Sequence, residues 1–570
     1  MPSISENMMG LWRNYHLTQQ GRYVPVLTTD PDYARVLAQG EYPDGSVRDT
    51  ASINCSDLAG EPGPAMFAAT ARELQRYIAG VLTPPRLLVP KRKAVDLVPI
   101  GRGWSFSALV GAVDTQIDLS GLSGFALART WHMAAKPAVP ARRTAFVLGG
   151  TRLRELLGWA QRRHKLSIKT SGTHLGLTVA GAIATASHGS RLGFGGMQDL
   201  VTGLHLVTGP NQSVWIERAS RPVLNDETIA SFTNQPPIRD DAVFDDALVH
   251  LGGMGIVNGV TMELNRDVGY ALSIKRELID TAWLADVAAG RWTRIARRLG
   301  QSGKPVFYEL TIDPMNWDGN RAVHTLYLPG QKDGFMPDPP VSPRGFADLS
   351  GTMISSFFAA KEKRGFPGAF NLYTEELERT PNYTNPPRNA PWNKLHLDEI
   401  TGGYPGALYN ASYAVKREEV ADIIPLICEA VKDLVPTFVY TLRFVSNPGG
   451  TLAFTRFAET CVIEIDGFSR NAPGFPPDFG NVIAEGAARI RACLDGRFDY
   501  SMHWGKLGNL DGDKVWADFG APGTPGSRID RWRATRARLL DPAFAKVLWN
   551  KALIDYRLLE QPAATADGEA

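Results

Sequence analysis

Three segments of this chain concentrate glycine and hydroxyl residues in patterns suited to holding a ligand. Ile100-Gly-Arg-Gly-Trp-Ser-Phe-Ser107 puts two glycines and two serines in a tight turn after an apolar strand. Successive backbone N–H groups in such a turn form a nest for an anion, and the glycines let the chain approach it, although the string alone also reads as an ordinary glycine turn. Further on, Ser171-Gly-Thr-His-Leu-Gly-Leu-Thr-Val-Ala-Gly-Ala-Ile-Ala-Thr-Ala-Ser-His-Gly-Ser190 would pack a core poorly, because so many small residues carry little apolar surface. A wall along which backbone and hydroxyl groups approach a large, flat, phosphate-bearing ligand explains the run better. Leu251-Gly-Gly-Met-Gly-Ile-Val-Asn-Gly-Val-Thr-Met-Glu-Leu264 closes the region with a glycine-lined turn running into a strand.

The common motifs point away from other chemistries. Gly253-Met-Gly-Ile-Val-Asn258 lacks the third glycine of a doubly wound dinucleotide site, and Gly300-Gln-Ser-Gly-Lys304 has the wrong spacing for a P-loop. Neither His-Glu-x-x-His nor Gly-x-Ser-x-Gly occurs. Cys55, Cys428, Cys461 and Cys493 have no Cys-x-x-Cys spacing, so no metal site is expected.

The elements that must position these segments follow from periodicity. The spacing predicts a helix over Thr70 to Leu82, strands at Leu97 to Ile100 and Thr144 to Gly150, and a helix whose core face carries Leu153, Leu156, Leu157 and Ala160. Leu204 to Val207 and Ser213 to Glu217 read as a hairpin across Gly209-Pro210. After about residue 270, long strands such as FYELTID and CVIEIDGF alternate with proline-rich connections at 328–345, 380–393 and 471–478, and Asp422 to Leu434 is helical in period. The expectation is an α+β protein of two lobes. The 570 residues are 44% hydrophobic and 21% charged, and 61 Lys+Arg against 59 Asp+Glu give a net charge of +2, too balanced to recruit nucleic acid or an anionic membrane by charge. With no stretch of eighteen apolar residues and no basic-then-apolar leader, a soluble cytoplasmic protein with a small-molecule partner is expected.

Taken together, the three small-residue segments resemble the flavin domain of the vanillyl-alcohol oxidase and p-cresol methylhydroxylase (PCMH) superfamily. The resemblance implies FAD held by Arg102, Gly103, Trp104, Ser105, Thr173, Thr178, Gly181, Thr185, Ser187, His188 and Gly189, with Ile256 near the adenine. Many members carry a histidine, bonded covalently to the flavin, where this chain has Trp104; indole cannot form that link, so non-covalent FAD is expected. The implied boundaries are an N-terminal extension at 1–64, a PCMH-type FAD-binding domain at 65–270, a substrate or cap domain at 271–495, and a C-terminal segment at 496–570 that returns to the flavin.

Met502-His-Trp-Gly-Lys506, with Leu442-Arg-Phe444 and the strand TRFAETCVIE up to Glu464, resembles elements of the aldonolactone and alditol oxidase subgroup. Where that subgroup has an acid two residues before the arginine, this chain has Thr441, which departs from a sugar-lactone or polyol preference. The implied reaction removes hydride from a CH–OH group to flavin N5, with dioxygen reoxidising the cofactor to give hydrogen peroxide. Arg443 would polarise the substrate oxygen, Lys506 or His503 would supply positive charge near the flavin, and His503 or Glu464 would take the hydroxyl proton. Glu464 reads equally as an outward residue of an alternating strand. Gly149 is expected to leave a path for dioxygen, and Phe357, Phe358, Phe366, Phe370 and Tyr373 to wall an aromatic pocket. A dehydrogenase using another acceptor, and a flavin- or ligand-binding protein without turnover, are the alternatives.

Overall fold

A computed structural model describes residues 10–13, 20–25, 62–82, 97–110, 115–119, 121–318, 320–330, 369–396, 408–434, 438–468 and 479–560. The connections at 331–345 and 471–478, together with Phe357, Phe358 and Phe366, lie outside them.

The helix predicted from Thr70 begins earlier, at Pro62, and runs to Leu82. Its first turn holds Pro62, Gly63 and Pro64, and proline is tolerated at a helix start. Gly63 sits where an added Cβ would lie 2.4 Å from the Phe146 ring, so a bare backbone lets the helix lie on the adjacent sheet. That six-stranded sheet has the order Ile238–Arg239, Gln212–Glu217, Val201–Gly209, Ile256–Glu263, Thr144–Leu148, Phe125–Leu127. The predicted hairpin is its antiparallel pair Val201–Gly209 and Gln212–Glu217. Beside it lies a four-stranded sheet in which Leu97–Ile100 and Thr115–Asp118 pair in parallel.

A seven-stranded sheet forms the other half, in the order Tyr270–Leu278, Arg321–Pro329, Phe307–Ile312, Phe438–Ser446, Glu459–Phe468, Leu408–Lys416, Tyr500–Met502, antiparallel throughout. Period-two alternation gives its two faces different chemistry. Leu310, Leu442, Phe444, Ile463 and Ile465 point to a core shared with helices Thr281–Ala288, Val420–Val431 and Phe479–Leu494. The opposite face carries Glu309 and Thr311, Thr441 and Arg443, Glu464 and Asp466, and Asn410 and Ser412. Registers Thr311↔Thr441, Thr441↔Glu464 and Ser412↔Glu464 line these up across four strands. Mixed α and β structure is therefore the observed class. Among the described residues no helix is long and apolar enough to cross a membrane, and no group of three or more His, Cys, Asp or Glu is placed to hold a metal ion.

Candidate functional site

The polar face of the seven-stranded sheet meets the small-residue run 171–190 directly. The Ser190 hydroxyl donates to the Tyr308 carbonyl and accepts from the Phe444 amide at 2.9 Å, while Trp392 Nε1 donates to Ser171 Oγ at 2.9 Å. Small residues at this seam allow backbone and hydroxyl groups to reach the neighbouring sheet.

At the seam's centre lies Arg443. Its Nε donates to Glu309 Oε2 at 2.7 Å, one terminal nitrogen reaches Glu464 Oε2 at 3.1 Å, and the other donates to Thr173 Oγ1 at 2.6 Å. Although burial disfavours its charge, the surrounding carboxylates, Glu464 first, raise its pKa further above the usual arginine value. Arg443 is thus a largely enclosed cation fixed by three partners, not a surface ion-pair residue. Burial would push the Glu464 carboxyl up, but Arg443 and Lys506 outweigh it and hold the group below the usual value. Its side chain is buried, so the outward reading of Glu464 is corrected. Asp466, hydrogen-bonded by Asn410, is raised to about 6 by burial and by the charge of Glu464. Lys506 is lowered by burial against the pull of Glu464 and Asp466.

Three histidines border this region, and their backbone contacts set their tautomers. His503 Nδ1 accepts from the Gly505 amide at 2.9 Å, so the ring hydrogen is on Nε2. Burial and then Lys506 hold its pKa well below the ordinary value. His503 is therefore neutral, and its free lone pair is already engaged. It therefore suits neither the cationic nor the proton-accepting role expected of it, and Lys506 and Glu464 are the other residues named for those roles. His188 has the opposite form: Nδ1 lies 3.0 Å from the Gly189 carbonyl, which can only accept, leaving the Nε2 lone pair 3.9 Å from Glu464 Oε1. Burial lowers it to about 4. His174, lowered to about 3 chiefly by burial, accepts from the Gly176 amide at 2.9 Å and packs edge-on to Trp104 at 4.0 Å.

The glycine turn at 100–107 joins the cluster from the side. The Phe106 amide donates to the Gly505 carbonyl at 2.8 Å, and a Cβ on Gly505 would lie 3.0 Å from Ser105 Oγ. From Ser105 a cleft runs along Gly101, Thr178, Gly181, Thr185 and His250. Among the described residues its lining includes no lysine or arginine. Backbone conformation explains the glycines here: Gly255 has φ +115, and a Cβ on Gly101 would meet Thr178 Oγ1 at 2.1 Å.

Of the expected cofactor residues, Ser105, Thr178, Gly181 and Thr185 line this cleft. Thr173, Ser187, His188 and Gly189 belong to the run facing the Arg443 cluster, and Arg102, Gly103 and Trp104 lie in the adjoining turn. Ile256 does not line the cleft: its fully buried side chain packs with Ile78, Leu97 and Val207, while its neighbours Gly255 and Val257 face the cavity. Gly149 lines it, and a Cβ there would lie 2.3 Å from the Val257 carbonyl, so close backbone packing also requires a glycine at this position. Phe370 and Tyr373 are buried, Tyr373 within reach of the charges of Glu309 and Arg443. They adjoin an aromatic bank in which Phe307 and Tyr327 stack at 4.1 Å and Trp392 and His396 at 4.4 Å. Sequence reasoning missed Glu309, Asp466 and His250; alternation within FYELTID and CVIEIDGF was the only signal for the two acids.

No family model matches the chain. Its fold is that of solved cholesterol oxidases. The enzyme from Brevibacterium sterolicum is 13% identical with a TM-score of 0.59, covering 98% of this chain and 99% of that one. A solvent-stable cholesterol oxidase is 12% identical with the same TM-score, covering 98% and 100%. At such identity the likeness establishes shared architecture over nearly the whole length.

Proposed function

We propose that this chain is an FAD-dependent oxidase of CH–OH groups, with a PCMH-type FAD-binding domain over 65–270, a substrate domain over 271–495 and a C-terminal segment returning to the flavin. The observation that carries the reading is the closeness of the cleft walled by glycine, serine and threonine to the Arg443, Glu464 and Lys506 cluster, since Ser105 lines the cleft and its neighbour Phe106 bonds to Gly505, next to Lys506. Neutral donors and bare backbone along the cleft fit a dinucleotide; the small walls leave the space that larger side chains would fill.

Bound FAD would supply the hydride acceptor, ring N5. Lys506 brings positive charge to a buried region, where it stabilises negative charge that develops in the reaction. Arg443, held by Thr173 from one side and by Glu309 and Glu464 from the other, orients the carboxylates and presents a fixed cation to the substrate oxygen. Glu464, with one oxygen on Arg443, keeps Oε1 for the hydroxyl proton. His188 Nε2 stands beside that oxygen as a second acceptor.

Substrates with a hydroxyl on an apolar body suit the aromatic bank at Phe307, Tyr327, Trp392 and Tyr373, and the solved cholesterol oxidases of the same fold support that preference over sugar lactones. Dioxygen is the acceptor in this reading, with hydrogen peroxide as product. The test is an anaerobic substrate panel, sterols and other apolar secondary alcohols against lactones and polyols, scored by loss of flavin colour, with peroxide measured on readmitting air. Bleaching by lactones alone would overturn the substrate class; slow reoxidation in air would overturn the oxidase.

A further inference from the structure

We propose that His250 is a cofactor-binding residue whose Nε2–H donates a hydrogen bond to an acceptor on the ADP half of the dinucleotide; the proposal rests on the flavoprotein reading above. His250 is 5% exposed and lines the cleft beside Thr185, Gly252 and Gly255. Its Nδ1 accepts the Gly252 amide at 3.0 Å. A ring nitrogen that accepts carries no hydrogen, and burial lowers the pKa to about 4, so at neutral pH the single ring hydrogen is on Nε2. That nitrogen is buried and has no partner among the described residues. Buried donors are seldom left unmade, and a cavity-lining donor that meets no protein acceptor is set for a ligand acceptor.

Charge narrows the ligand group. With no lysine or arginine among the described residues of the lining, a diphosphate here would meet backbone amides, hydroxyls and neutral ring N–H groups there. The Ser105 end of the cleft adjoins the reactive cluster and is the place for the redox ring, which leaves the His250 end to the ADP half. The position is held rigidly: the Leu251 amide donates to the Ala184 carbonyl at 3.2 Å, and Asn550 Nδ2 donates to the Leu251 carbonyl at 2.9 Å. The same His-x-Gly turn fixes His174 and His503, so one local device orients three imidazoles around one site.

Two substitutions separate the ring's roles. His250→Asn keeps an acceptor near the Gly252 amide and lacks the distal donor; His250→Gln keeps a distal N–H and lacks the near acceptor. The deflavinated chain is titrated with FAD, ADP and riboflavin, and thermal unfolding of each unliganded variant is recorded. The expected result is FAD and ADP binding about tenfold weaker in the Asn variant, riboflavin binding unchanged, and FAD affinity in the Gln variant closer to the parent. FAD affinity equal in parent and Asn variant overturns the proposal, as does a loss confined to riboflavin. Should the Asn variant unfold, an equal loss in His250→Gln and His250→Leu overturns it instead. A parent that binds neither FAD nor ADP overturns the flavoprotein reading itself, which is a separate outcome.

Discussion

Arg443 is bonded to two carboxylates and a threonine, so its removal strands buried charge as well as deleting a cation. Breaking such a group by taking one partner costs about 3–5 kcal/mol. Arg443→Ala is therefore expected to lower stability by that order in chemical denaturation and to slow flavin reduction. Parent-like stability would mean that Glu309 and Glu464 find another counter-charge. Lys506→Met has fewer neighbours to disturb and is expected to keep FAD binding while slowing reduction by roughly 10²–10³, the scale of losing one stabilising donor; stopped-flow reduction at saturating substrate reads it. The acidic pair gives a pH signature. Asp466, raised to about 6 by burial and by Glu464, is ionised above that pH, and full negative charge on the pair makes Glu464 a better proton acceptor. Reduction should rise through an apparent pKa near 6, a value that belongs to the pair. Asp466→Asn removes the neighbouring charge, lowers the Glu464 pKa and moves the midpoint to lower pH. A midpoint unmoved by this change would take Asp466 out of the profile.

Elements meet at Ser190, which satisfies Tyr308 on one strand and Phe444 on the next. Ser190→Ala leaves the Phe444 amide buried without its acceptor, at a cost of about 1–3 kcal/mol, read as a shift in the denaturation midpoint with unchanged m-value. Much of this seam was legible beforehand. The run 171–190 declared itself by composition, and CVIEIDGF by period-two alternation, because both signals are local. What stayed hidden was pairing. Glu309 reaches Arg443 only because Phe307–Ile312 lies beside Phe438–Ser446 in the sheet, an adjacency between residues far apart in the chain that no local period encodes. The acid absent at Thr441 is met in the same way, since Glu464 sits directly across the ladder from it. The tautomer of His503 depended on one backbone amide two residues away, which spacing alone did not assign to a bond. At Gly149 a glycine at a strand end suits both an open path and a close backbone contact, and the nearness of the Val257 carbonyl was not readable from the sequence.

On the scale of the whole molecule, the C-terminal segment closes the structure. Asp246, 1% exposed, accepts from Arg531 Nε at 2.9 Å, from Thr535 Oγ1 at 2.6 Å and from Thr451, so a single carboxylate ties the helix Asp241–Leu248 to the helix Arg528–Leu539 and to a loop of the substrate half. Trp104 sits in the turn that this segment covers, packed against His174 rather than offering a linking imidazole. Acid precipitation of the yellow protein is expected to leave all flavin in the supernatant; colour retained in the pellet would mean a covalent bond through another residue. The Phe106 amide to Gly505 carbonyl bond, with the pairing of Leu97 and Leu548, has a consequence in time. A ribosome adding about 5–20 residues per second needs roughly 20–80 s between making the first partner of that bond and the second. For that interval the nascent glycine turn is complete in sequence yet roofless, so cofactor can enter from the open side but cannot be enclosed until the segment around Gly505 has been made.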